Sequence, residues 1–121
     1  MPQFVYKGKT YNNAVELALD LIGGKWKMPI LWRIKDKPKR YSALKKTLPR
    51  TSHKMLAQQL RELEKDGFIK RKVYATVPPS VEYSITLKGK GVIPVIEVIR
   101  DWGNEVRRGG TPKIVGTDNG G

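Results

Sequence analysis

Residues 41–67 read YSALKKTLPRTSHKMLAQQLRELEKDG. Tyr41-Ser42 opens a short helix, with Ser42 as its expected N-cap, Leu44 and Leu48 turned inward, and Pro49 ending it. Arg50-Thr51-Ser52 is a tight turn with two candidate caps. A longer helix then runs from about His53 to Asp66, and Gly67 is suited to a left-handed stop. Short helix, short turn, longer helix is the helix-turn-helix pattern. Stepping about 100° per residue along the longer helix gathers Leu56, Leu60 and Leu63 on one face. Lys54, Gln58, Arg61 and Lys65 fall on the opposite face. One face packs and the other offers donors. In the major groove of DNA a glutamine bridges adenine N6 and N7, and an arginine bridges guanine O6 and N7.

The flanking sequence completes a winged domain. Phe68 to Ala75 alternates as a strand, Thr76-Val77-Pro78-Pro79-Ser80 makes a stiff tip, and Val81, Tyr83 and Ile85 alternate back. A hairpin directly after a helix-turn-helix is a wing. Upstream, Asn12-Asn13 caps a first helix whose apolar residues Ala14, Leu17, Ala18, Leu21 and Ile22 recur at helical spacing, and Gly23-Gly24 stops it. A second helix begins near Lys25, tolerates Pro29 in its first turn and ends before Pro38. Downstream, Thr86 is expected to cap a last helix reaching about Arg108, kinked near its start by Pro94. The fold class is α+β. Residues 1–108 form one winged helix-turn-helix domain with N- and C-terminal dimerisation helices, and 109–121 is a Gly-rich tail expected to be disordered.

Charge points to the partner. The chain carries 24 Lys and Arg against 11 Asp and Glu, a net +13. Lys25 to Lys72 holds 16 of the bases and four acids, so 16 − 4 = +12 sits in that segment. A concentrated positive field attracts a polyanion, because phosphate binding releases condensed counterions. With no cysteine and one histidine, His53, the chain has no disulfide, no cysteine-ligated zinc and no protein-only histidine metal site. No cofactor is expected. No nucleophile–base pair, phosphate-cradling glycine loop or metal spacing marks an enzyme. No apolar run is long enough to span a membrane, and Met1 to Thr10 lacks the apolar run of a secretory signal, so a cytoplasmic protein is expected.

Roles follow from position. Gln58 and Arg61 are candidates to meet base edges. Lys45, Lys46 and Arg50 are placed to clamp phosphates beside the recognition helix. Ser52, His53 and Lys54 stand at its start, and Arg71 and Lys72 on the first wing strand. Adjacent strand residues point to opposite faces, so only one of that last pair faces the duplex. The last helix is too apolar for so small a domain to cover, and the first helix adds more apolar surface. A twofold homodimer interface is expected from Leu17, Leu21, Val92, Val95, Ile96, Ile99, Trp102 and Val106. The partner expected is double-stranded DNA with a palindromic operator. A basic RNA-binding or nucleoprotein-associated module remains the alternative, although single-strand recognition needs exposed aromatics for stacking.

These residues resemble the HxlR-type regulators. Leu19-Asp20-Leu21-Ile22-Gly23-Gly24-Lys25-Trp26 with Ile30-Leu31 looks like their opening, and Leu56 to Leu63 followed by Asp66-Gly67 like their recognition helix. Pro78 to Thr86, Gly91 and Trp102-Gly103 resemble their wing and dimer helix, so the likeness covers about residues 13 to 103. It implies a dimeric winged-helix transcription factor, often a sensor of electrophiles, oxidants or other stress. Two departures stand out. Asn13 occupies the place where many members carry a sensing cysteine, and Thr51 stands where an apolar turn residue is usual. By analogy with the architecture, an apolar pocket between the dimer helices and the winged domain is a place for a small-molecule effector, aromatic or lipophilic.

Overall fold

The computed structural model describes residues 2–109. Two short strands, β1 (Phe4–Tyr6) and β2 (Lys9–Tyr11), pair as a hairpin ahead of α1 (Ala14–Ile22) and α2 (Lys27–Ile34). A two-residue strand, β3 (Lys39–Arg40), leads into α3 (Tyr41–Thr47) and α4 (His53–Lys65). The wing is β4 (Ile69–Tyr74) and β5 (Ser80–Ile85). A short helix, α5 (Leu87–Lys90), and a long one, α6 (Ile93–Arg107), finish the described chain. β5 lies in the middle of a three-stranded antiparallel sheet of order β3-β5-β4.

The core gathers where the amphipathic faces converge. Ile30, Leu31 and Ile34 of α2, Leu44 of α3, and Leu56 and Leu63 of α4 are fully buried, with Leu60 nearly so. Phe68, Ile69 and Tyr83 close the core from the sheet side. Each fully buried leucine or isoleucine contributes about 1.5–3 kcal/mol relative to an exposed one. α4 ends as the sequence implies. Gly67 has φ +84°, its N–H donates to Glu64 O at 3.0 Å, and the Phe68 N–H donates to Leu63 O at 2.9 Å. These are the two bonds of a Schellman stop, and Phe68 and Leu63 are both part of the buried cluster.

Several expectations need correction. The β1–β2 hairpin is an addition to the elements expected from sequence. Tyr11 fixes it, because its ring is buried and its hydroxyl donates to Asp20 Oδ2 of α1 at 2.6 Å. That bond, with Lys9 Nζ on the same oxygen at 3.0 Å, holds the Asp20 carboxyl below its ordinary range, and the bond to Asp20 pushes the Tyr11 phenol up to about 12. Ser42 does not cap α3; Arg40 occupies the N-cap position and makes no side-chain cap bond. Thr86 does cap, accepting from the Gly89 N–H at 3.1 Å, but the helix it starts is the four-residue α5. The chain breaks at Gly91 before α6 begins. Pro94 therefore lies in the first turn of α6, where a missing N–H costs nothing, and it does not kink the helix. Residues 110–121, most of the expected tail, lie outside the described residues.

Thr51 sits in the turn between α3 and α4, is 2 % exposed, and its hydroxyl has no hydrogen-bond partner among the described residues. It packs as an apolar residue would, and an unbonded buried hydroxyl is unfavourable. Thr51→Val keeps the shape and removes that hydroxyl, so it should raise stability by about 1 kcal/mol. Urea unfolding of both proteins tests this, and a lower midpoint for the variant would show that the hydroxyl is bonded.

Candidate nucleic-acid interface

The leucine face of α4 is wholly committed to the core, and this settles the direction of its other side. Lys54, Gln58, Arg61 and Lys65 are all exposed along that side. Ser52 is the N-cap: its Oγ accepts from the Met55 N–H at 3.0 Å, which leaves the hydroxyl hydrogen free to donate outward. His53 is held by Tyr41 of α3. The rings stack with centroids 5.9 Å apart, and Tyr41 Oη lies 3.0 Å from His53 Nδ1. The histidine is thus a fixed rather than a loose side chain at the helix start. Partial burial raises the Tyr41 phenol above its ordinary value. Lys46 and Arg50 are exposed next to this helix start, and Lys45 is half-buried.

The two flanks of α4 are tied down by ion pairs. On the α2 side, Glu62 Oε1 lies 2.7 Å from Lys27 Nζ, whose side chain is only 8 % exposed. Glu62 Oε2 accepts from Gln58 Nε2 at 3.2 Å. The lysine bond, aided by the Gln58 amide, holds the Glu62 carboxyl below its ordinary range. On the wing side, Glu64 Oε1 lies 3.6 Å from Arg71 Nε. Arg71 opposes Tyr83 in the register, on the sheet face that packs against the helices. Lys72 opposes Glu82 on the other face, with its Nζ 4.8 Å from the Tyr74 ring centroid. Of Arg71 and Lys72, only Arg71 is therefore on the side of α4. Sequence reasoning missed Lys27, Glu62 and Tyr41, which position other residues. The i, i+4 spacing of Gln58 and Glu62 was the one available signal.

The residues expected at a dimer interface divide into three groups. Val92 and Ile96 are buried in the chain's own core, and Leu17 and Leu21 are half-buried. Val95, Ile99, Trp102 and Val106 are 46–60 % exposed and form a stripe along α6. Val98 at 69 %, and Val15 and Leu19 of α1 at 67 % and 61 %, extend the exposed apolar surface beyond what was expected. Between α2 and α6 lies an open groove of about 340 Å³, lined by Met28, Pro29, Trp32, Ile96 and Ile99 with Lys25, Arg33 and Arg100 at its rim. The groove adjoins α6, one of the two helices beside which an effector pocket was expected, and no residue of α1 lines it. No helix among the described residues is long and apolar enough to cross a membrane.

Comparison with known proteins agrees with this geometry. The profile of the HxlR-like helix-turn-helix family matches residues 21–109. The uncharacterized HTH-type transcriptional regulator YdeP of Bacillus subtilis (strain 168) is 48 % identical over 93 residues, covering 77 % of this chain and 73 % of YdeP. The crystal structure of the HTH-type transcriptional regulator ytcD superposes with a TM-score of 0.74 at 44 % identity, covering 79 % of this chain and 98 % of that one. The redox regulator HypR in its oxidized form superposes with a TM-score of 0.72 at 38 % identity, covering 84 % of this chain and all of that one.

The Lys27–Glu62 pair gives a pH signature. A carboxyl with a lowered folded pKa contributes stability above its ordinary value of 4.5, and that stability is lost as pH falls through the lowered value. At neutral pH the protein should be more stable than Glu62→Gln by about 1–3 kcal/mol, because the variant leaves the Lys27 ammonium, 8 % exposed, without its counter-charge. The difference should close as the solution is acidified below pH 4.5. Thermal unfolding of both proteins from pH 7 downward checks it; a gap that does not narrow as the pH falls below 4.5 would mean that the carboxylate charge is not its source.

Proposed function

The chain belongs to the HxlR-like helix-turn-helix family, and from that premise we propose that it works in the cytoplasm as a dimer on a near-palindromic operator in double-stranded DNA. It is a transcriptional regulator with a helix-turn-helix domain, not an enzyme. The observation that carries the finer reading is the division of α4. Leu56, Leu60 and Leu63 are buried, and Lys54, Gln58, Arg61 and Lys65 are exposed on the opposite side. A helix anchored in this way presents its donors at fixed positions to the major groove. Gln58 and Arg61 meet base edges. Lys46, Arg50, Ser52 and Lys54 meet phosphates, with His53 beside them. Arg71 is a weaker anchor, since it already faces Glu64.

HypR is described as a redox regulator. This chain has no cysteine, so reversible disulfide control within it is chemically unavailable. Asn13 stands at the position where the resemblance leads one to expect a sensing thiol, and it serves the helix instead. Its Oδ1 accepts from the Glu16 N–H at 2.8 Å and caps α1. Any stress signal reaches this protein by another route.

Two measurements test the proposal. Gln58→Ala or Arg61→Ala should cost about 1–3 kcal/mol on the cognate duplex and relax preference at one base position. Lys46→Ala or Arg50→Ala should weaken cognate and scrambled DNA alike and lower the salt slope by about one unit per lost contact. For the unmodified dimer, four or five phosphates per protomer give a slope of log K against log salt of roughly −7 to −9. Equal competition by RNA, or reading-face variants that leave the cognate-to-scrambled ratio unchanged, would overturn the assignment. For assembly, Ile99→Glu with Trp102→Glu places two charges in the exposed stripe and should yield folded monomers by light scattering. Unmodified protein that is monomeric at micromolar concentration would remove the dimer.

A further inference from the structure

Lys27 is the chain's anomaly in charge placement. It belongs to the most basic segment of the sequence, yet its side chain is 8 % exposed and its Nζ lies 2.7 Å from Glu62 Oε1. A buried ammonium must keep its counter-charge, because leaving one partner alone in a low dielectric is strongly unfavourable. Glu62 is therefore pinned from below by α2, although it is half-exposed itself. An exposed i, i+4 pair on any helix is loose; this one has a fixed end.

The pinned carboxylate acts on Gln58. An ionised carboxylate only accepts hydrogen bonds, so the Gln58 amide must turn its NH₂ toward Glu62 Oε2, and it does so at 3.2 Å. The flipped amide would place two oxygens against each other. The NH₂ group has two hydrogens. When Glu62 takes the hydrogen anti to the Gln58 carbonyl oxygen, the syn hydrogen remains beside that oxygen. Gln58 then shows the solvent one acceptor and one donor side by side. Adenine offers the complement, an N6 donor beside an N7 acceptor, whereas guanine offers two acceptors at O6 and N7.

We propose that Glu62, anchored by Lys27, presets the Gln58 amide and so selects adenine at the base that Gln58 meets. This rests on the reading of α4 as the recognition helix. Glu62 and Lys27 are positioning residues: neither needs to touch DNA, and their effect should appear at one base position only.

The experiment begins by selecting preferred sites for the unmodified protein from randomised duplex DNA. Binding is then measured on duplexes that vary one position at a time. Gln58→Ala should identify its position by flattening the preference there. Glu62→Gln should reduce adenine preference at that same position by about fivefold or more, the lower end of what a bidentate contact discriminates. Other positions and the salt slope should not move. Glu62→Gln combined with Lys27→Met removes both charges, leaves no ammonium buried, and should show the same single-position loss. Adding Gln58→Ala to either variant should leave that position as flat as Gln58→Ala alone does, so the two effects should not add. A base other than adenine at the Gln58 position overturns the inference. So does full retention of the preference in both Glu62 variants, or a uniform drop at all positions. Unmodified protein that selects no sequence removes the recognition-helix reading itself, and the inference with it.

Discussion

Three leucines on one helix determine the rest of the molecule. Leu56, Leu60 and Leu63 recur at spacings of four and three, so they form a narrow apolar stripe, and the stripe is almost completely buried against α2, α3 and the sheet. A helix that buries one stripe has no freedom to rotate about its axis. The polar face of α4 is thus oriented by what lies beneath it, and no contact on the polar side is needed to aim it. The wing, the turn and the α2 packing are arranged around a helix whose roll is already fixed.

The ion pairs on the two flanks serve a different purpose from the leucines. The Arg71–Glu64 contact at 3.6 Å is between part-exposed groups, and such a pair adds little stability. Lys27–Glu62 is closer and shielded on the lysine side. Both place a negative charge beside a strongly positive face, at its edges rather than its centre. The two glutamates thus frame the donors of α4. They moderate repulsion among the lysines and arginines without covering the residues that point outward. A chain of net +13 has reason to keep its few acids at such places.

Much of this was legible in the sequence, for identifiable reasons. α4 was legible because its leucine period and Gly67 agree on the same element. The wing was legible because alternation on both strands brackets a proline-rich tip. The β1–β2 hairpin was not, since its strands have three residues each and the turn is Lys7-Gly8, a weaker signal than Asn-Gly. The split into α5 and α6 was hidden because apolar residues continue across Gly91, and Pro94 reads as a kink unless the helix is known to begin at Ile93. At the interface the sequence showed the width of the apolar surface on α6 but not its division. Val92 and Ile96 face the chain's own core, while Val95 and Ile99, each three residues further on, stand about half exposed. Lys27 was the least legible of all. A lysine among sixteen bases looks like surface charge, and only the packing of α2 on α4 shows that it is buried.

The junction below α4 has a consequence for how such a chain tolerates change over evolutionary time. The Schellman stop is fastened from several sides: Thr86 Oγ1 donates to Gly67 O at 2.6 Å, Lys88 Nζ to Asp66 O at 2.7 Å, and the Thr86 N–H to Phe68 O at 3.1 Å. Gly89 passes so close that a Cβ there would collide with the Phe68 carbonyl. One added or deleted residue at 66–68 or 86–89 would break several of these bonds at once, and one at 66–68 would also reverse the facing of every later strand residue in the wing. The tip at 76–79 is exposed and free of such fastenings. Length variation should therefore collect at the tip and be absent from the junction. Lineages would then diversify the reach of the wing while inheriting its angle to α4 unchanged.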